Sequence, residues 1–362
     1  MGENKVHYYW LDLVRFTAAF LVLICHFRGA FFVEYTLLPA EQKNPLIFAF
    51  YSLTRLGNEA VLIFFVMSGF LVGGKAIERL QQGAFDIKGY AIDRTVRIML
   101  PLISALLLFI PVSIIRGLDI DWLAWLGNLF SLQGICTYSV IEPLWSLSYE
   151  VWFYILMGTI SLFFIKQNII SKKIYAVLFL LICSLVFTKL HPHYLFMWFM
   201  GAFAYLIIPK KINKLFLWGS FIVMICFIIL LQLTSGSRLN EGTDISQYLP
   251  NRQALELLFA FFFCLFLRQL IIIKPIKKWT LKINQIGTRL AAFSYTLYLT
   301  HVLVLRMFEY FHVPKSESVN FISISWYIGE LTIALLVAYA VYWYFEKRTA
   351  EVKGWIKTRL LK

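Results

Sequence analysis

The chain has 362 residues, of which 60% are hydrophobic and only 15% charged, and its mean hydropathy is +0.72. This composition is typical of a polytopic membrane protein and excludes a soluble, disordered or disulfide-stapled chain. A formal net charge of +14 would suggest a nucleic-acid partner for a soluble protein, but in a membrane protein it reports on topology. We therefore expect no nucleic-acid partner.

Ten apolar stretches are long enough to cross a hydrocarbon core about 30 Å thick, which needs about 20 residues of helix. They predict transmembrane helices at 9–31, 57–76, 95–115, 145–165, 174–190, 194–209, 214–233, 254–273, 290–311 and 324–345. The segment 122–135 is apolar but too short to span, so we predict a re-entrant or interfacial piece. The predicted fold class is all-α, one transmembrane domain over 1–362 with a basic cytoplasmic tail at 346–362.

The distribution of basic residues predicts the orientation. With the amino terminus in the cytoplasm, 24 of the 34 Lys and Arg residues fall in six cytoplasmic segments and nine fall on the outer side. The six segments are 1–8, 75–97, 166–173, 210–214, 268–289 and 346–362. This bias satisfies the positive-inside rule. We predict a multi-pass protein of the plasma membrane, the bacterial inner membrane, with both termini cytoplasmic.

The first predicted helix carries the ionisable residues Asp12, Arg15 and His26 along one part of its length. His26 lies eleven positions after Arg15, which places the two residues about 20° apart around the helix and about 16 Å apart along it. Asp12 lies one turn before Arg15 and is able to pair with it. Ionisable groups at membrane depth are costly and are functional candidates. The alternative is that Arg15 snorkels to the interface and His26 satisfies a backbone carbonyl.

Other ionisable residues are expected near both faces of the membrane. Glu150 is five residues into a helix entered from outside, so it lies in the outer half, and His301 lies near mid-depth. Arg94 and Arg97 begin the third helix from the cytoplasm, with Lys88 before them. This arrangement suits a long cofactor with phosphates at one end and a reactive group at the other. The basic groups at the cytoplasmic side would bind the phosphates, and the carboxylate and the histidine lie further out, near the reactive end. Each residue has an alternative interpretation. Glu150 would be a hydrated carboxylate at the interface, and His301 a histidine that only packs between helices. Arg94 and Arg97 would be ordinary anchors on the cytoplasmic side.

Five motifs in this order resemble those of the acyltransferase family 3 membrane proteins, over nearly the whole chain. The motifs are Leu11-Asp12-Leu13-Val14-Arg15 with His26 after ten intervening residues, Phe64-Phe65-Val66-Met67-Ser68-Gly69-Phe70-Leu71, Arg94-Thr95-Val96-Arg97-Ile98, Trp145-Ser146-Leu147-Ser148-Tyr149-Glu150, and Ser294-Tyr295-Thr296-Leu297-Tyr298-Leu299-Thr300-His301. Two positions depart from the family's pattern: Pro101 is four residues after Arg97 rather than three, and Val151 replaces a second acidic residue.

The resemblance implies a ten-helix acyltransferase domain that takes an acyl group, usually acetyl, from cytoplasmic acyl-CoA. The acceptor implied is a sugar hydroxyl on a lipopolysaccharide O-antigen, capsule, exopolysaccharide or peptidoglycan. By the same resemblance His26 is the catalytic histidine, Arg15 is its partner in the motif, and Arg94 and Arg97 lie on the CoA side. We expect the protein to act without the SGNH hydrolase-like domain that some members carry.

The predicted mechanism assigns general-base catalysis to His26, because acyl transfer to an alcohol needs a base near neutral pH. Glu150 is predicted to orient or assist it, and Arg15, Arg94 and Arg97 to hold the CoA phosphates. Positioning of the acceptor is predicted for Tyr149, His301 and Ser68. Acetyl-CoA, or another acyl-CoA, is the expected donor and a glycan or lipid-linked sugar the acceptor, with membrane lipids around the protein and no metal. A covalent acyl-enzyme stays an open alternative.

Two rival functions fit the composition. A secondary transporter or exporter of a sugar or organic acid also places ionisable residues at mid-depth, but it usually contains an inverted repeat, and no internal repeat is visible. A glycan-assembly scaffold without catalysis predicts that His26 and Arg15 are replaceable. A hydrolase is less favoured because no GxSxG or HExxH motif occurs.

Overall fold

The computed structural model describes residues 8–165, 170–234, 250–313 and 315–360. Within these ranges the secondary structure is helical, and no β-strand is present. The α-helices are α1 (Leu11–Phe31), α2 (Pro45–Leu53), α3 (Gly57–Ser68), α4 (Lys75–Gln81), α5 (Ile87–Ile115), α6 (Trp122–Leu129), α7 (Leu144–Phe164), α8 (Ile170–Phe187), α9 (Pro192–Leu206), α10 (Lys214–Thr234), α11 (Arg252–Leu270), α12 (Lys278–Ala291), α13 (Ser294–Tyr310), α14 (Phe321–Tyr344) and α15 (Thr349–Leu360). A π-helical segment, Gly69–Gly74, connects α3 to α4.

The all-α polytopic fold is confirmed. Among the described residues, seven helical stretches are long and apolar enough to cross a membrane, and α12 with α13 gives an eighth if they are counted as one interrupted span. The other two predicted spans fall on α8 and on the 15-residue α9. Large apolar side chains remain exposed on outward faces, among them Leu178, Ile222 and Leu336. In water such surfaces would be costly, so they are the lipid-facing sides of the helices.

Segment 122–135 begins with α6, a helix of eight residues. Asp121 caps it by accepting a hydrogen bond from the Ala124 N–H at 2.9 Å, and a second one from the Tyr138 hydroxyl at 3.0 Å. These bonds, the Ala124 N–H first, lower the pKa of Asp121 because they stabilise its charged form. The buried Asn128 amide donates to the Ala124 and Tyr138 carbonyls. The segment is therefore a short helix followed by turns, held in place by these hydrogen bonds, and its interfacial or re-entrant position stays a prediction.

Contacts divide the chain into two compact units, each assembled from separated segments. The first unit comprises Met1–Ala18, Glu59–Lys75 and Phe196–Ala292, and the second comprises Ala19–Asn58, Ala76–Leu195 and Phe293–Lys362. That 1–362 acts as one domain stays a prediction.

In the first unit the backbone at the junction of α3 with the π-helical segment touches the backbone of α9. A Cβ atom at Gly69 would lie 1.8 Å from the Trp198 carbonyl oxygen, and one at Gly201 would lie 2.0 Å from the Val66 carbonyl oxygen. Because both obstacles are backbone atoms, no side-chain rotation relieves the clash. Small residues allow helices to approach this closely in membranes, so glycine is required at both positions.

In the second unit α13 is surrounded by other helices. All ten residues from Thr296 to Leu305 are buried. A helix that is buried on every side lies at the centre of a bundle rather than at its lipid-facing surface. The polar side chains of α13, His301 among them, therefore lie in the interior of the bundle.

The basic tail contains a helix that packs on α5 in the second unit. Lys353 and Lys357 of α15 both pair with the Asp93 carboxylate of α5, at 2.7 and 3.2 Å. Asp93 directly precedes Arg94, so the tail is attached at the end of α5 that carries the predicted cofactor arginines. The cytoplasmic location of this end stays a prediction.

Candidate active site

His26 and His301 form a direct pair in the second unit. The Nδ1 atom of His26 on α1 lies 2.8 Å from the Nε2 atom of His301 on α13. The ring planes differ by only 10° and their centroids are 5.1 Å apart, so the rings lie edge to edge in nearly one plane. His301 is buried, whereas His26 is only half-buried. The pair thus has one inner member and one member open to a substrate.

A backbone carbonyl fixes the protons of this pair. The Nδ1 atom of His301 is 3.1 Å from the Leu297 carbonyl oxygen, one helical turn earlier. A carbonyl only accepts, so His301 Nδ1 must carry a proton, and in a neutral ring Nε2 is then an acceptor. His26 must donate to that acceptor from Nδ1. A neutral His26 is left with an unprotonated Nε2, the lone pair that a general base requires.

A second set of bonds holds the start of α7 against α13. The Tyr298 and Ser146 hydroxyls are 2.7 Å apart, and the Tyr298 hydroxyl also donates to the Pro143 carbonyl at 3.2 Å. The Tyr298 ring lies 6.1 Å from the His301 ring. Two of the sequence motifs, around Ser146 and around Tyr298, therefore meet beside the histidine pair.

Glu150, predicted to orient His26, is bonded to Tyr154. The Tyr154 hydroxyl donates to a Glu150 carboxylate oxygen one turn along α7. On the other side of Tyr154, the Arg94 guanidinium lies 5.8 Å from the ring centroid, within the range of a cation–π contact. The hydrogen-bond partner of His26 is His301, so the orienting position next to the base is occupied by a histidine.

Arg94 and Arg97 lie one turn apart on α5. Arg94 is half-buried against Tyr154, whereas Arg97 is exposed. The two arginines therefore offer one cation fixed by an aromatic ring and one available to solvent or a ligand.

The remaining predicted site residues have partners elsewhere. Arg15 pairs with Asp12 at 2.9 Å in the first unit, which confirms the expected pairing. Ser68, also in the first unit, accepts a hydrogen bond from the Trp198 indole at 3.1 Å. The buried Tyr149 hydroxyl, in the second unit, accepts one from the backbone N–H of His191 at 3.1 Å. Roles for Arg15, Ser68 and Tyr149 in binding stay predictions.

Sequence reasoning assigned no role to Tyr154, Ser146 or Tyr298. Tyr154 follows Glu150 by four residues, a spacing that brings side chains together on a helix and was a usable signal. Ser146 and Tyr298 each belong to one of the five sequence motifs, but the two residues are 152 positions apart in the chain. No local pattern predicts a contact at that separation.

A histidine pair with one buried member, a carboxylate–tyrosine–arginine series and an all-helical fold with lipid-facing apolar sides are the features of an integral multi-pass membrane protein with a polar interior site. A family model described as an acyltransferase domain, Acyl_transf_3, matches residues 8–343. The chain belongs to this family and is a membrane acyltransferase. No curated protein and no solved structure matches it.

Proposed function

We propose that the protein is an O-acyltransferase that moves an acyl group, most commonly acetyl, from acyl-CoA to a hydroxyl of a cell-surface or lipid-linked glycan. The observation that carries the proposal is the His26–His301 pair, whose fixed protons leave a lone pair on His26 Nε2. Membership of an acyltransferase family supports the reaction class. Donor, acyl group and glycan acceptor are our proposals.

The proposed reaction is a direct transfer. His26 Nε2 takes the proton of the acceptor hydroxyl while its oxygen attacks the thioester carbonyl carbon. The tetrahedral intermediate then expels the CoA sulfur, and the C–S bond breaks as the new C–O ester bond is completed. The proton on His26 passes to the leaving thiolate, giving free CoA and regenerating the neutral ring. His301 accepts from His26 Nδ1 throughout and stabilises the transient imidazolium.

We propose that Arg94 and Arg97 bind the phosphates of the CoA donor. Arginine suits phosphate because its planar fork donates two parallel hydrogen bonds. The Asp93 carboxylate between them and the tail is already paired with two lysines, so it competes little for the arginines. We further propose that this end of α5 faces the cytoplasm, in agreement with the bias of basic residues.

The function is tested with the full chain in lipid nanodiscs, labelled acetyl-CoA and a de-O-acylated surface glycan. We expect label to appear on the glycan as an alkali-labile ester, with release of free CoA in equal amount. Passage of sugar across proteoliposomes without any CoA release would support the rival transporter and refute the proposal. Sugar binding without CoA binding would point to a scaffold.

Replacing Arg97 or Arg94 by Ala should raise the KM for acetyl-CoA about tenfold each, because each change removes a charge-assisted contact to phosphate. The kcat should change less than about threefold, since neither residue is placed at the reacting atoms. Initial rates at varied acetyl-CoA concentration measure both constants. Arg79→Ala, an exposed cation on α4, is the control and should leave both unchanged. An unaltered KM in both variants would remove these residues from the donor site.

A further inference from the structure

A cavity of about 230 Å³ lies in the second unit next to the histidine pair. Val302, the residue after His301, lines it, as do Glu142 and Arg306. Glu142 directly precedes Pro143, whose carbonyl accepts from Tyr298. Arg306 lies on the same helix as His301, five residues later. The cavity is therefore lined by chain neighbours of His301, a member of the histidine pair, and of Pro143, which contacts Tyr298.

Three charged side chains line the cavity, and among the described residues only one of its two arginines has a carboxylate partner. Arg306 pairs with Glu309 at 2.7 Å and with Glu142 at 3.2 Å. Arg116, at the end of α5, forms no ion pair and no side-chain hydrogen bond within the part of the chain that the structure describes. The positive charge of Arg306 is thus already compensated, whereas Arg116 offers an uncompensated guanidinium to the cavity.

The remaining lining and the size of the cavity indicate the kind of ligand. Phe109 supplies an aromatic surface, and Ser139 and Glu142 supply oxygen acceptors. The volume is below the about 300–1,000 Å³ of sites for drug-sized ligands, which suits one sugar ring better than a whole oligosaccharide. The hydroxyl groups of a sugar donate hydrogen bonds, and a carboxylate such as that of Glu142 accepts them.

We propose that this cavity is the acceptor subsite and that it selects an acidic sugar, whose carboxylate pairs with Arg116. The ring lies against Phe109, its hydroxyls donate to Glu142, and a neighbouring hydroxyl is presented to His26. This inference rests on the proposed function, and it narrows the acceptor class to glycans that contain a carboxylated residue.

Binding is measured first with the unaltered protein, by saturation-transfer NMR titration of the detergent-purified full chain. The probes are methyl glucuronide and methyl glucoside, which differ only in the carboxylate. We expect the glucuronide to bind about tenfold more tightly or better, as for a charge-assisted pair. Equal binding of the two probes, or no binding of either, would overturn the inference.

Two variants locate the preference. Arg116→Gln should abolish the tenfold preference without lowering the melting temperature by more than a few degrees, whereas Lys189→Gln, an exposed cation outside the cavity, should retain it. If Arg116→Gln does not fold, Arg116→Lys is used; it keeps the positive charge at the helix end and should weaken the preference without removing it. If the Arg116→Gln variant still prefers the glucuronide, the preference arises at another site and the inference is wrong.

Two further measurements separate this inference from its alternatives. Displacement of the glucuronide by phosphatidylglycerol but not by phosphatidylcholine would identify a lipid headgroup site and overturn the inference. Binding needs no acyl-CoA, so a glucuronide preference without acyl transfer would refute the proposed reaction and leave only a binding site for an acidic sugar in the cavity. Acyl transfer to neutral and acidic glycans with equal KM would leave the reaction standing and refute the subsite.

Discussion

His26→Ala should lower the kcat of acyl transfer about 10²–10⁴-fold, the usual contribution of a general base. This corresponds to about 3–5 kcal/mol of transition-state stabilisation. The KM for acetyl-CoA should change little, because the proposed donor contacts lie on α5. Steady-state kinetics with labelled acetyl-CoA measure the effect. His191→Gln, an exposed histidine whose backbone N–H rather than its ring contacts Tyr149, is the matched control.

Substitutions of His301 should also lower the kcat, because His301 is the hydrogen-bond partner of His26. His301→Ala removes the acceptor that holds His26 Nδ1–H and should cost about 10²-fold in kcat, as when other bases lose their orienting partner. His301→Gln keeps an acceptor oxygen near the position of Nε2 and should recover part of that loss. Nitrogen-15 NMR of labelled His26 should show a protonated Nδ1 in the unaltered protein. Full activity of His26→Ala, or a protonated Nε2 on neutral His26, would contradict the assignment.

Gly69→Ala should destabilise the protein by about 3 kcal/mol or more, above the ordinary cost of overpacking, because the new methyl group meets backbone atoms of α9. The expected result is a much lower melting temperature in detergent and a loss of monodisperse protein on size exclusion. Gly201→Ala should behave alike, since it meets the Val66 carbonyl from the opposite helix.

Gly219→Ala is the control for this prediction. Gly219 lies within α10, and a Cβ atom there meets nothing within 4 Å. Alanine is the better helix former by about 1 kcal/mol, so this variant should be as stable as the unaltered protein or more so. Equal melting temperatures for Gly69→Ala and Gly219→Ala would show that α3 and α9 are free to separate.

The membrane helices were predictable because their signal is local. Length and hydropathy alone placed each of the ten predicted spans on an observed helix, from α1 to α14. α12 was not predicted: residues 268–289 were assigned to a cytoplasmic loop, yet 278–291 form a helix. Its mixture of lysines with exposed Trp279 and Ile286 has no continuous apolar run, so a search for spans overlooks it.

The candidate site residues were chosen from the sequence and their catalytic roles stay predictions, whereas their pairings were not predicted. His26, Glu150 and His301 were identified because ionisable groups at membrane depth are rare. His301 was expected to position the acceptor and Glu150 to orient the base, whereas the direct partner of His26 is His301. The distance between those rings depends on how α1 and α13 pack, 275 positions apart in the chain, and no sequence pattern encodes it.

Several basic side chains of the tail are bound to other side chains of the protein. Of its basic side chains, Lys353 and Lys357 are paired with Asp93, while Lys347 and Arg359 lie over tryptophan rings at 3.1 and 4.3 Å. Polybasic segments gain about 1 kcal/mol per free cation from anionic lipid headgroups, and these four cations are already engaged with the protein. The tail should therefore adhere to lipid far more weakly than its composition suggests. Its attachment to α5 should loosen at high ionic strength, where salt screens partly exposed ion pairs.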